Sequence, residues 1–157
     1  MSQLISPHRG KLHPLLVEGE HMAEYKKKAQ SLSKIRLSSR ETSDLIMMAI
    51  GAFSPLDGFM KQQDYKEVVD NMHLSDGTLW PIPITLSVTK QQADNISLGE
   101  EIALIDDESS DLMGLMEVQD KYSYNKKHEA GQVFFTKDEA HPGVKKVYQQ
   151  HDVLIGG

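Results

Sequence analysis

Trp80-Pro81-Ile82-Pro83-Ile84-Thr85-Leu86-Ser87-Val88-Thr89 is the stretch that decides the fold class. Upstream of it, apolar residues recur at helical spacing. Within it, Ile82, Ile84, Leu86 and Val88 alternate with Pro83, Thr85, Ser87 and Thr89. A period of two predicts a half-buried strand. Pro81 and Pro83 lack an amide donor and place its start at a sheet edge. Downstream, Leu98-Gly99-Glu100 predicts a turn and Glu101–Ile105 a short strand. Asp106–Asp111 is an acidic hairpin-like loop, and Leu112–Val118 is a further strand running on through Tyr122 and Tyr124. Gln132–Phe135 predicts one more. Short strands at close spacing predict a small β-barrel or folded sheet in the second half.

The first half reads as packed helices. Met22, Tyr25, Ala29 and Leu32 share one face of a helix predicted over Glu20–Leu32, with Lys26, Lys27 and Lys28 on its solvated side. Ser38, three residues before Glu41, forms a capping-box pattern that opens a second helix over 39–51. Asp44–Ile50 is apolar on nearly every side, which predicts a buried helix with Ile46 and Ile50 in the core. Met47 and Met48 read as core filler, and Gly51 helps to end the helix. Tyr65, Val68, Val69 and Met72 form one stripe on a third helix over Gln62–Met72. Asp76-Gly77 marks a turn. In residues 1–20, punctuated by Pro7, Gly10, Pro14 and Gly19, the side chains of Leu12, Leu15, Leu16 and Val17 pin an extended segment to a core. Helices followed by strands predict α+β rather than alternating α/β, in a single domain over 1–157.

Composition narrows the function classes. The formal charge of −6, from 23 acidic and 17 basic side chains, disfavours a phosphate backbone as partner, so no nucleic acid is expected. The three arginines, Arg9, Arg36 and Arg40, all lie in the first quarter, too few for a grip on several phosphates. With no cysteine, disulfides, thiolate metal sites and cysteine nucleophiles are excluded. No apolar run approaches the ~18 residues of a membrane span, and the N-terminus lacks a signal-peptide pattern. A cytoplasmic protein without membrane contact is the expectation.

Motifs that carry chemistry are few. The phosphate-loop, dinucleotide and nucleophile-elbow motifs are all missing. The histidines (His8, His13, His21, His73, His128, His141 and His151) give no helix-borne metal pair. His8 and His13 allow at most a weak loop site. Asp106, Asp107, Glu108 and Asp111 read as a solvated turn, since no glycine stands where a calcium loop needs one. His141-Pro142-Gly143 is more distinctive. It reads as a turn hydrogen-bonded or capped by its histidine, with a domain interface as the functional reading.

Four segments stand in order: Ser6-Pro7-His8-Arg9-Gly10-Lys11-Leu12, Gly51-Ala52-Phe53-Ser54-Pro55-Leu56-Asp57-Gly58-Phe59-Met60, Asp76-Gly77-Thr78-Leu79-Trp80-Pro81-Ile82-Pro83-Ile84 and Asp138-Glu139-Ala140-His141-Pro142-Gly143-Val144. Together they resemble the N-terminal domain of the ATP sulfurylase (sulfate adenylyltransferase) family from about residue 5 onward. The resemblance implies a PUA-like domain with a small β-barrel and packed helices. It also implies a parent enzyme that joins Mg²⁺-bound ATP and sulfate to give adenylyl sulfate and pyrophosphate. Arg9 stands where the family has a second glycine; if that position needs a positive φ, Arg9 is strained.

The family's catalytic motifs, Gln-x-Arg-Asn-Pro with a following His-x-x-His and a later Gly-Arg-Asp-His, do not occur here. The adenylyltransferase domain is therefore absent from this sequence. No catalytic, cofactor-binding or metal-ligating residue is assigned, and the chain itself is expected to be inactive. The leading reading is a scaffold domain whose partner is that catalytic domain of the same parent chain, with a homo-oligomer possible in the parent. His141, Pro142, Gly143, Leu154 and Ile155 are the candidate interface, within a junction over 134–157. The alternative is a stand-alone PUA-like module that binds RNA or drives oligomerisation.

Overall fold

The computed structural model describes residues 5–157. A 3₁₀ turn at His8–Gly10 precedes α1 (His21–Ala29), β1 (Ser33–Leu37), α2 (Ser39–Ala49) and α3 (Gln62–Asn71). Then come β2 (Leu86–Val88), α4 (Lys90–Asn95), β3 (Glu101–Asp106), β4 (Leu112–Glu117) and β5 (Asp120–Ser123). The described chain closes with α5 (Lys126–Val133), α6 (Pro142–Gln149) and β6 (Val153–Gly156). The class is α+β, and the contacts gather into two compact units.

The first unit comprises the residues through Gly58 together with Glu101–Glu117. Its sheet runs β1-β3-β4, with β1 parallel to β3 and β4 antiparallel to it. Ile35 and Leu37 point inward from β1, opposite Leu104 and Asp106. The Ser38 hydroxyl accepts from the Glu41 amide at 3.4 Å, and Glu41 Oε2 accepts from the Ser38 amide at 2.9 Å. This reciprocal capping box starts α2 as expected. The predicted burial of α2 is overturned. Only Glu41 and Met48 are buried on it, while Ile46, Met47 and Ile50 are exposed. A sheet covers one side of a helix, so an apolar sequence all round does not produce burial all round. The first helix is also shorter than expected. It stops at Ala29, leaves Met22 and Tyr25 exposed, and is followed by β1, whose two inward apolar residues gave too little periodicity to read.

The second unit comprises Phe59–Glu100 and Val118–Gly157. Its sheet is antiparallel, in the order β2-β6-β5. In the middle strand, Leu154 faces Ser87 and Tyr122 in register, and Ile155 faces Leu86 and Lys121. α3 buries Tyr65, Val68 and Val69 as expected, whereas Met72 sits exposed in a left-handed cap. The stretch from Trp80 is regular only at Leu86–Val88, and Thr85 and Ser87 are buried with the apolar residues. β2 is an edge strand, but the predicted alternation fails because it has no solvated face.

Two further expectations are corrected. The described residues form two open three-stranded sheets and no closed barrel. The second half is not mainly strands, since it also holds α4, α5 and α6. Gln132–Phe135 ends a helix instead of forming a strand: the Asn125 side chain accepts from the His128 amide at 3.0 Å and opens α5. The strand predicted through Tyr122 breaks after Glu117, so β4 and β5 belong to different sheets.

Candidate interface site

The His141-Pro142-Gly143 turn is the N-terminus of α6. His141 has extended backbone, and its Nδ1 accepts from the Gly143 amide at 3.2 Å. Pro142 occupies the first turn, where its missing N–H costs nothing. The His141 carbonyl takes the Lys145 amide at 3.0 Å. The imidazole thus caps the turn, as its sequence position implied. The Phe134 ring lies 5.1 Å from the His141 ring, centroid to centroid. A β-carbon at Gly143 would stand 2.5 Å from Phe134 Cε1, so any larger residue there must displace the Phe134 ring. Val144 and Val147 anchor the inner face of α6. Tyr148 donates to the Lys137 carbonyl at 3.1 Å and closes the loop over 134–141.

The candidate residues divide. His141 and Pro142 are exposed and Gly143 is half-buried. Leu154 and Ile155 are fully buried in the middle of β2-β6-β5, where they support the unit and offer no surface. Next to the turn stands Phe135, which lies inside the expected 134–157 junction but was not among the residues singled out there. It is 83% exposed and has φ 55, a left-handed backbone unusual for a bulky side chain.

Beneath this surface the polar groups are committed to structure. Tyr122 donates to the Met60 carbonyl at 2.6 Å. Burial, followed by neighbouring carboxylates, pushes the phenols of Tyr65 and Tyr122 well above the ordinary tyrosine range. Lys126 donates to the Gln150 carbonyl and pairs with Asp152 at 2.8 Å. That lysine holds the Asp152 carboxyl below its usual value, through its hydrogen bond and then its charge.

Elsewhere, the acidic loop is organised internally. Asp106 accepts from the Ser109 amide at 2.8 Å and from Thr42 at 2.7 Å, and these bonds, the amide's first, hold its carboxyl below the usual carboxylate range. Asp107 pairs with Arg36 at 3.3 Å. Among the described residues, no group of three or more histidine, aspartate or glutamate side chains could hold a metal. An open depression of about 370 Å³ in the first unit is lined by Lys26, Gln30, Lys34, Ile105, Asp111 and Leu112, among others. No periodicity in the sequence pointed to it. No helix of the described residues is long and apolar enough to cross a membrane.

A family model described as a PUA-like domain matches residues 5–157. The sulfate adenylyltransferase of Desulforamulus reducens is 54% identical over 154 residues, covering 98% of this chain and 40% of that protein. That of Chlorobaculum tepidum is 54% identical over 157 residues, covering 98% and 39%. The chain therefore spans about 40% of the length of the curated relatives it matches. Among solved structures, a hexameric APS kinase from Thiobacillus denitrificans is similar with a TM-score of 0.69 and 32% identity. That likeness covers 78% of this chain and 24% of that one.

Proposed function

Since the chain belongs to the PUA-like domain family over residues 5–157, we propose that it serves as the N-terminal scaffold domain of a sulfate adenylyltransferase. The observation that carries this reading is the match of 98% of the chain, at 54% identity, to part of a sulfate adenylyltransferase. The parent reaction joins ATP and sulfate, with Mg²⁺ on the nucleotide, and releases pyrophosphate. Such a centre needs cationic and amide groups gathered where charge develops. In this chain Arg36 is engaged by Asp107, and Arg40 by Asp44 and Glu41. Arginines held in separate ion pairs do not converge on one phosphoryl group. The domain then contributes orientation, and the catalytic domain of the parent contributes the chemistry and holds Mg²⁺-ATP.

On this reading the junction with the catalytic domain runs through 134–157. The exposed His141-Pro142 turn and Phe135 supply its surface, while Leu154 and Ile155 hold the sheet beneath. The parent is also a homo-oligomer, a reading supported by the hexameric neighbour.

Two measurements test the proposal. The chain alone, given ATP, Mg²⁺ and sulfate, should release no pyrophosphate, and turnover that persists through repurification overturns the scaffold role. Amide exchange should then compare the chain alone with a fusion to the remainder of the Desulforamulus reducens relative. Added protection is expected at 134–142; protection that falls on 53–60 instead moves the junction to that loop.

A further inference from the structure

In the first unit, an extended strap over 11–17 crosses the end of α2. The amides of Leu15 and Leu16 both donate to the Ala49 carbonyl, at 2.9 and 3.1 Å, which satisfies a helix-end acceptor. The His13 amide donates to Ser54 Oγ at 2.8 Å. Yet the strap buries none of its apolar side chains: Leu12 is 55% and Leu16 60% exposed. Alongside, α2 presents Ile46, Met47 and Ile50, at 45%, 37% and 57% exposure. The bonds to Ala49, and the approach of Pro14 N to 3.3 Å from where a β-carbon on Gly51 would stand, set the strap beside the C-terminal end of α2, which carries Ile46, Met47 and Ile50.

From this arrangement we infer that the strap–α2 face is a self-association surface, on which α2 of one copy packs against α2 of a second across a two-fold axis. This rests on the reading of the parent as a homo-oligomer and names the surface that reading leaves open. Two observations favour a second copy as the occupant. The first is charge. Residues close to a two-fold axis meet their own twins, so like charges there are costly. The segment from Leu45 to Ile50 has no charged residue. The charged residues of α2 all lie at or before its midpoint, Asp44, and Arg40 pairs with Asp44 at 2.9 Å and with Glu41 at 3.7 Å. On a chain of net charge −6, a neutral face is where two copies approach with least repulsion. The second is area. The five side chains expose roughly 500 Å², near the upper end for a monomer's largest apolar patch. That is a large share of the ~800 Å² each partner gives to a standard interface. Lys11, which opens the strap, and Glu18, which follows it, are exposed and placed to form a polar rim.

Analytical ultracentrifugation of the full chain, from micromolar to near-millimolar concentration, tests the inference. The wild type should dimerise with concentration. Ile46→Glu together with Ile50→Glu should weaken that by about thirtyfold or more, the effect expected of hot-spot positions. Leu16→Glu, on the other element, should act in the same direction. Because all three side chains are exposed, circular dichroism and the melting temperature should stay close to wild type. A dimer that survives both sets of changes overturns this surface and leaves self-association standing. A wild type that is monomeric at every concentration overturns the inference, and with it the homo-oligomer reading for this chain. If that monomer gains amide protection at 46–50 only in the fusion with the relative's remaining portion, the face belongs to the catalytic domain.

Discussion

The phenol of Tyr65 donates to Glu129 Oε2 at 2.7 Å, with both residues buried and 64 positions apart in sequence. The bond ties α3 to α5. Tyr65 also stacks at a tilt on Tyr122, with centroids 5.5 Å apart, and meets Tyr124 edge-on at 5.9 Å. Tyr65→Phe keeps the ring contacts and removes a partner of a buried carboxylate. It should cost about 1–3 kcal/mol, measured by urea unfolding. An unchanged midpoint would mean that the bond contributes nothing net.

The same phenols give a pH dependence. Tyr65 and Tyr122 titrate in the folded chain above their ordinary value of 10.0. Below about pH 10 both states hold these protons, and the stabilisation is fully present. Above it, the unfolded chain releases them first, so the native state binds more protons and stability falls as pH rises. Denaturation midpoints between pH 8 and 11.5 should drop in the alkaline range, with a shallower slope in Tyr65→Phe. Equal slopes in variant and wild type would remove Tyr65 from the explanation.

Arg9, with φ 61, and Phe135, with φ 55, both hold left-handed backbone. The sequence had made strain at Arg9 conditional on a positive φ, and the backbone meets that condition. A left-handed L-residue costs roughly 1–2 kcal/mol, against about 0.5–1 kcal/mol of extra chain entropy for glycine. Phe135→Gly should therefore raise stability by up to about 1 kcal/mol, as should Arg9→Gly to the extent that its side-chain contacts allow. Thermal melts check this, and a fall in both variants would show that the side chains outweigh the strain.

Gly156 is required by space. A β-carbon there would stand 2.7 Å from the Met60 carbonyl oxygen and 2.8 Å from Lys61 Cα, both backbone atoms that cannot swing away. Gly156→Ala should cost about 1–3 kcal/mol or more through forced backbone shifts. At Gly114 the nearest atom is Leu45 Cδ2 at 3.6 Å, so Gly114→Ala should be tolerated. Comparable melting temperatures in the two variants would contradict the crowding at Gly156.

What the sequence disclosed was what short-range chemistry decides. The Ser38–Glu41 box, the α3 stripe and the His141 cap each involve residues within a turn or two. α5 escaped notice because Lys126–Val133 has no apolar stripe; it is held by Asn125 at its start and by the distant Tyr65. The exposure of Ile46 and Ile50 depends on which side of α2 the sheet covers, and β3 and β4 of that sheet lie some fifty residues further along. In the candidate interface the exposed turn was legible as local geometry. The burial of Leu154 and Ile155 follows from strand pairing that no local pattern encodes.

The placement of β6 bears on the order in which the second unit forms during synthesis. β2 and β5 are joined only through β6, which is the last of the three in chain order. On a growing chain both flanking strands wait, with open edges, until Val153–Gly156 has been made. The helices α3, α5 and α6 can form from local contacts before then, but the sheet that locks them cannot nucleate early. The interval before β6 arrives is when this unit is most open to mispairing with other chains.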